Sequence, residues 1–342
     1  MKYIPIVVTL VLLVSCSSER SEPVQKSGGS TDSDAIRPLS TRDSVSLRYL
    51  PVPGTKLSCS ARQDDVLDFD SVHMRVVTEL FFTQIVEHAG TDGSIKLRMR
   101  YDSIAIDQRY WESDSSQVQI RRFRSTDPMS SRNADYAVFT AAIGQNISAT
   151  IAPNGTIESI SGIEPIIRKL LGQQADSLNA EQRRVVEQQL QSELYGQVLI
   201  QQFLLLPTSA LDSTHSWSRT VEQAFPPAFI ARATARYRLE GVQLSGGDSL
   251  LVIGAVLDGT IRPEPAADKL GVTVRTGTVR GTATGALSRQ HGLMLRRRNV
   301  IEYQLHAEAK DRSGKTHQLS QRKRTSFQFA ARVVEPVQSR LE

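Results

Sequence analysis

The 342 residues carry 41 Lys and Arg against 36 Asp and Glu, a formal net charge of +5, with 39% apolar residues. That length covers one large domain or two small ones and leaves enough apolar material for a real core, while two cysteines exclude a disulfide framework. The charge is split, +9 from Arg219 to the end against −5 from Ser17 to Ser218; a basic carboxyl half suits an anionic neighbour, lipid headgroups or an acidic protein, and two solvated faces of opposite bias are the plain alternative.

The chain opens with Lys2 and an apolar run from Ile4 to Val14, interrupted only by Pro5 and Thr9. The run is too short to span a bilayer, which takes ~20 residues, and fits the apolar core of a secretory signal. It ends Leu13-Val14-Ser15-Cys16, which resembles the lipobox of bacterial lipoproteins. In that family the Cys thiol is diacylated, the signal is cut just before it, and the new amino group is usually acylated. The resemblance therefore implies a signal peptide over 1–15, Cys16 as the lipidation site, and attachment to a membrane through palmitate-like acyl chains. Ser17 and Ser18 stand where an Asp would mark inner-membrane retention, so the same resemblance points to the outer membrane, with the periplasmic or surface face left open. Residues 16–44 are rich in Ser, Asp, Arg, Gly and Pro. They are expected to form a flexible tether reaching on the order of 30 Å. Cys59 then has no partner, and without a positive neighbour in sequence it reads as a buried inert thiol.

From Val45 the pattern is strand-like. A β-branched and aromatic run, Val76 to His88, meets the turn Ala89-Gly90-Thr91-Asp92-Gly93. Ile95, Leu97, Met99 and Tyr101 then alternate with Lys96, Arg98, Arg100 and Asp102, the period of a half-buried hairpin whose basic residues share the wet face. Val118–Phe123 is a further strand and Asp135–Ile143 a short helix. Ile147, Ala149 and Ile151 lead to the Asn154-Gly155 turn. Ile163, Ile166, Ile167, Leu170 and Leu171 recur at helical spacing, with Pro165 in the first turn and Gly172 closing. A longer helix is expected from Asn179, with Gln182 as its capping-box partner and Pro207 as its stop.

The carboxyl part returns to strands. Ala231 to Leu239 alternate with polar residues, Gly246-Gly247-Asp248 turns into Leu250–Leu257, Val272–Leu287 is rich in Thr and Gly, and Val300–Ala307 and Gln318–Val333 complete the set. The expected fold is α+β: curved antiparallel sheet packed on one long central helix, with a weak two-fold duplication in which Val76–Tyr101 and Ala231–Leu257 are the copies. The expected organisation is β hairpins plus central helices over 45–215 and an antiparallel β half over 216–342, one continuous fold.

Three features carry a resemblance. They are the Pro153-Asn154-Gly155-Thr156-Ile157 turn leading to Gly162, the helix ending Phe203-Leu204-Leu205-Leu206-Pro207, and Asp212 to Trp217 just beyond. With them the chain resembles the bacterial lipoproteins and secreted proteins grouped as domain of unknown function 6263, over most of Leu47–Ala330. That family brings no known activity and no functional residues to carry over.

Other motifs weaken on inspection. Ala309 to Thr316 matches a permissive phosphate-loop pattern, but that chemistry needs a loop opening a helix and strand residues flank this one. The histidines His73, His88, His215, His291, His306 and His317 do not pair at ligand spacing. His215 beside Ser216 and Trp217 reads first as the start of a strand. Arg296-Arg297-Arg298 and Arg322-Lys323-Arg324 read as a solvated face, or as contacts to an anionic glycolipid. The expectation is no catalytic residue, no cofactor, no metal and no nucleic acid. What remains is an envelope lipoprotein acting as a non-enzymatic binding or scaffold module, in its strongest form holding a lipid-like ligand between sheet and helix. The competing reading is a hydrolase whose pocket sets His215, or another His, beside a carboxylate and a hydroxyl.

Overall fold

The computed structural model describes residues 36–38, 45–113, 117–225, 229–264, 271–310 and 315–334. The signal peptide, Cys16 and most of the stretch read as a tether lie outside the described residues.

Alternation of apolar and polar residues makes long strands here. In Lys56–Phe69 (β1), Leu57, Cys59 and Ala61 are buried while Lys56, Ser58 and Arg62 are exposed, so opposite faces of one strand meet core and water. The same logic builds Val72–Ala89 (β2), Ile95–Glu112 (β3), Gln119–Arg124 (β4), Asn146–Ile151 (β5) and Ile157–Ser161 (β6). After a helical stretch come Ser216–Phe225 (β7), Phe229–Ser245 (β8), Asp248–Pro263 (β9), Val272–Ser288 (β10), Met294–Lys310 (β11) and Thr316–Val334 (β12). Among the described residues these twelve strands form one sheet in the order β6-β5-β3-β2-β1-β12-β11-β10-β9-β8-β7, with β4 also pairing β3. Every ladder is antiparallel. β7 to β12 is a simple meander, and β1 returns beside β12 with Cys59 opposite Ala331. The first and last long strands therefore sit at the centre of the sheet.

The helices cover part of one face, the inner face. They are Ala137–Ala142 (α1), Glu164–Leu171 (α2), Ala180–Leu190 (α3) and Gln197–Gln202 (α4). Pro165 sits in the first turn of α2 and Gly172 caps its end at φ 55°, a conformation glycine adopts without strain. The predicted capping box forms before α3: the Asn179 side chain accepts from Gln182 N at 2.9 Å, and the Gln182 side chain accepts from Asn179 N at 3.0 Å.

The α+β expectation is nevertheless overturned. Among the described residues strands take 60% and helices 18%, so the fold is a single antiparallel sheet with short helices, and no long central helix organises it. The stretch from Asn179 is divided into the eleven residues of α3, a π-helical segment Gln191–Gly196, and the six residues of α4. Two physical reasons are visible. Leu190 is the one buried residue of α3, so its sequence supplies little apolar face to pack. At the π-helical segment Tyr101 Oη donates to the Leu194 carbonyl, drawing that oxygen toward the sheet and competing with the helical ladder. The two supposed copies, β2–β3 and β8–β9, are hairpins of one sheet, separated in it by β1, β12, β11 and β10.

The main core joins inner-face residues Cys59, Phe82, Leu97, Met99, Tyr101, Tyr237, Leu239 and Phe329 to Ile166, Ile167, Leu194, Tyr195, Leu199 and Phe203 of the helical stretch. A second cluster of Phe229, Ala231, Ala233, Ile261 and Val279 lies toward the other end of the carboxyl strands. Arg37, within the stretch read as tether, is seated on the sheet: Arg37 N donates to Val242 O, and Val242 N to Arg37 O, both at 2.9 Å. Gly241 permits this, since a Cβ there would stand 2.3 Å from the Arg37 oxygen. Among the described residues no helix is long and apolar enough to cross a membrane.

Candidate functional site

The sheet face turned away from the helices is lined with arginine, and the strand register sets the pattern. One row across β11, β12, β1, β2, β3 and β4 reads Arg298, Gln328, Arg62, Glu79, Ala105, Arg124. One step along the strands lies Arg296, Ala330, Ser60, Phe81 and Ser103. One step the other way, β1 to β4 carry Asp64, Val77, Asp107 and Arg122, followed by Val66, Arg75, Arg109 and Ile120. Rows are spaced by two residues, about 7 Å, and neighbours within a row by about 4.8 Å.

Two clefts open on this face. One, of about 540 Å³, runs over the small residues Ser60, Ala286 and Ala330 between Arg62, Glu79 and Phe81 on one side and Gln243 and Val252 on the other, with Arg296 and Arg298 above it. The second, of about 490 Å³, is lined by Arg75, Arg109, Arg122, Arg124 and Asp107. Arg62 and Glu79 line both, so the two are one furrow.

Some of this charge is neutralised locally. Arg62 pairs with Glu79. Arg75 grips Asp64 through Nε and Nη2, both at 3.0 Å, the two-pronged geometry that suits guanidinium and carboxylate. Arg122 Nε lies 3.0 Å from Asp107, which Arg124 also holds. Burial raises the Asp107 carboxyl, but the guanidinium groups of Arg124 and Arg122 outweigh it and keep the carboxyl below its ordinary range. Arg109 and Arg298 have no ion pair among the described residues. The furrow thus presents seven outward arginines (62, 75, 109, 122, 124, 296 and 298) against three carboxylates, the lining Glu79 and Asp107 and the Asp64 that Arg75 holds.

Strand alternation splits both basic runs. Arg296 and Arg298 face the furrow, whereas Arg297 turns to the inner face and donates through Nη1 to the carbonyls of Ile200 at 3.2 Å and Phe203 at 3.1 Å. Arg322 and Arg324 lie outward against Glu302, while Lys323 is buried 5.3 Å from the centre of the Tyr303 ring. Lys96, Arg98 and Arg100 share the outer face, with Glu87 and Asp102 beside them.

The remaining sequence-derived residues find structural places. Cys59 is buried with its Sγ 3.6 Å from Gln84 Oε1, and burial together with the Asp102 charge pushes the thiol far up. His215 sits at φ 51° in the turn before β7, with its N–H bonded to Asp212 O. The neighbouring Ser216 hydroxyl donates to Thr214 O at 3.0 Å, so the His215 cluster is built as a turn. The phosphate-loop pattern spans the β11–β12 connection, with Lys310 opposite Thr316 in the ladder; Asp311 to Gly314 lie outside the described residues. Among the described residues no three His, Cys, Asp or Glu side chains gather as a metal site. The sheet–helix interface, where a lipid pocket was expected, is filled by Tyr49, Phe82, Tyr101, Tyr195 and Phe203, each at most 3% exposed. Arg62, Arg75, Arg109, Arg122 and Arg124 escaped sequence reasoning, because they occupy the polar phases of four different strands with no local motif.

The family model of DUF6263, a family of unknown function, matches residues 92–290. No curated protein matches the sequence. Among solved structures, lipovitellin, described for its lipid–protein interactions, superposes with a TM-score of 0.41 at 9% identity, over 84% of this chain and 26% of that one. This chain therefore spans about a quarter of lipovitellin's length. An outer membrane channel from Pseudomonas putida F1 gives a TM-score of 0.22 at 8% identity, over 85% of this chain and 99% of the channel. The translocator domain of the autotransporter NalP from Neisseria meningitidis gives 0.16 at 7% identity, over 82% and 89%.

Proposed function

The chain belongs to the DUF6263 family, whose function is unknown, and we propose for it the role of a lipid-anchored envelope protein that binds phosphate-bearing lipid headgroups on its arginine-lined sheet face. The observation that carries the reading is the furrow with seven arginines against three carboxylates. Guanidinium groups offer paired donors matched to phosphate oxygens, and Arg109 in one cleft and Arg298 in the other have no ion-paired carboxylate among the described residues to surrender first. The small residues on the furrow floor and the half-exposed Phe81 supply apolar contact for the glycerol and upper acyl region. Acylation at Cys16 and the reach of the chain before Ile36 would bring this face within range of headgroups. An anchor of this kind points to the outer membrane, on either side of it.

The test uses the full mature chain with Cys16→Ser, so that acyl chains do not contribute. Sedimentation with vesicles of phosphatidylcholine is compared with vesicles containing phosphatidylglycerol, at low and high salt and with inorganic phosphate as competitor. Binding confined to anionic vesicles, weakened by salt and lost in the double variant Arg109→Gln/Arg298→Gln, supports the reading. Equal partition to both vesicle types, or none, sinks it. Labelled palmitate that enters the natural chain but not Cys16→Ser tests the anchor separately.

A further inference from the structure

Beyond the furrow, the same face brings a carboxylate, an imidazole and a hydroxyl into line. Asp68 is near the end of β1, His73, the second residue of β2, lies directly opposite it, and Ser113 follows the last residue of β3. The turn between the first two strands is tight, with Asp70 at φ 49°, and Ser113 N is fixed to Ser71 O at 2.8 Å. His73 Nδ1 lies 2.7 Å from Asp68 Oδ1, and His73 Nε2 lies 2.8 Å from Ser113 Oγ. An ionised carboxylate only accepts, so the neutral ring carries its proton on Nδ1 and donates it to Asp68. The Nε2 lone pair is then left to accept the Ser113 hydroxyl. Trp111, opposite His73 in the ladder, stacks on the imidazole at 5.4 Å and 17° and holds its plane. The ring is 24% exposed and the carboxylate 42%, so the trio is open to a substrate.

We propose that Ser113 is a nucleophile for acyl transfer, with His73 as its general base and Asp68 as the positioning residue, acting on carboxylic esters that carry a negative charge. Ser113 Oγ attacks the ester carbonyl and its proton passes to His73 Nε2. The carbon–oxygen bond to the alcohol breaks, and His73 returns the proton to that leaving oxygen. Water then attacks the acyl-serine by the same relay, releasing the acid and restoring Ser113. The charge preference comes from the next row of the face, where Arg109, which has no ion pair among the described residues, stands beside Trp111; Arg75 and Arg322 are already held by Asp64 and Glu302. That part alone rests on the anion-binding reading; the nucleophile does not. This role runs against the expectation of a protein without catalytic residues, which followed from the lack of local motifs.

The full chain is treated with an alkyl fluorophosphonate, which loses fluoride as a phosphorus–oxygen bond forms to an activated serine, and the adduct is read by intact mass and peptide mapping. The expected result is one adduct on Ser113. It should be absent in Ser113→Ala, form ~100-fold more slowly in His73→Gln, fall in Asp68→Asn and return in Asp68→Glu. Circular dichroism of each variant verifies the fold. No adduct, or an adduct indifferent to Ser113→Ala, overturns the nucleophile. Hydrolysis of 4-nitrophenyl hemisuccinate is then compared with 4-nitrophenyl acetate. A preference for the anionic ester that narrows in Arg109→Gln supports the substrate class, and equal rates overturn it even if labelling succeeds.

Discussion

Gln84 and Gln202 hold each other across the sheet–helix interface: Gln84 Nε2 donates to Gln202 Oε1 at 2.8 Å, and Gln202 Nε2 donates to Gln84 Oε1 at 2.9 Å. Both are fully buried, so this amide pair links β2 to the end of α4 inside an otherwise apolar core. Removing one partner strands the other's donor and acceptor away from water, at a cost of about 1–3 kcal/mol. Gln202→Leu and Gln84→Leu should each lower the unfolding free energy read from urea titration by that much. The double variant should be less destabilised than the sum of the two, because no orphaned amide remains. Strict additivity would show that the pair is not coupled.

Arg297 does related work from β11. Its guanidinium caps the Ile200 and Phe203 carbonyls, which α4 leaves without helical partners as Phe203 turns extended at φ −92°, ψ 122°. Burial draws the guanidinium below its ordinary pKa, against the pull of Tyr237 and Tyr49. Hydrogen bonds from a charged donor contribute about 1.5–3 kcal/mol. Arg297→Leu should therefore lose about 2 kcal/mol in denaturant titration. Arg297→Lys should not restore it, since a single ammonium lacks the planar fork that spans both oxygens. Full stability in the Lys variant would refute the capping role.

Sequence patterns made several of these elements legible. The Asn179–Gln182 capping box, the Asn154-Gly155 turn and the alternating hairpin of β2 and β3 are local signals, and local signals survive folding. The far half of β1 was not legible because Gln63-Asp64-Asp65 breaks the alternation. Asp64 faces outward to Arg75, while Asp65 is buried on the inner face. A polar residue on each face cancels the period of two. The long helix was over-read because leucines four apart fit a helix equally well whether or not a sheet side chain, here Tyr101, takes one of its carbonyls. The site was illegible for a different reason. Its arginines run from position 62 to 298, and Asp68 and Ser113 lie in different strand ends. Only the ladder register, a long-range property, brings them together.

Gly155 tests how closely the visible turn is tied to the helical end. It sits at φ 91°, and a Cβ there would lie 2.3 Å from the Leu204 carbonyl and 3.0 Å from the Tyr49 ring. Backbone strain and overpacking add in Gly155→Ala, giving a loss of about 2–4 kcal/mol. Gly144 has an equally positive φ of 76° but open space around it. Gly144→Ala should therefore cost only the strain, about 1 kcal/mol. Equal thermal shifts for the two variants would show that the contact with Leu204 is dispensable.

Asp107 gives the stability a pH dependence of defined sign. Arg124 and Arg122 depress its carboxyl in the folded chain, so its contribution is full above the unfolded carboxyl value of about 3.9 and lost as pH falls through the lower folded value. The pairs are partly solvated, with Asp107 31% exposed, which limits the contribution to at most about 1 kcal/mol at neutral pH. Asp107→Asn should thus unfold slightly earlier than the natural chain at pH 7. The gap should close as the medium is acidified below the unfolded value, because the natural chain then loses the same interaction. The variant also frees two guanidinium groups in the furrow, so it should bind phosphatidylglycerol vesicles more tightly at pH 7 while being less stable. Weaker vesicle binding by Asp107→Asn would mean that the arginines serve the sheet and not a ligand.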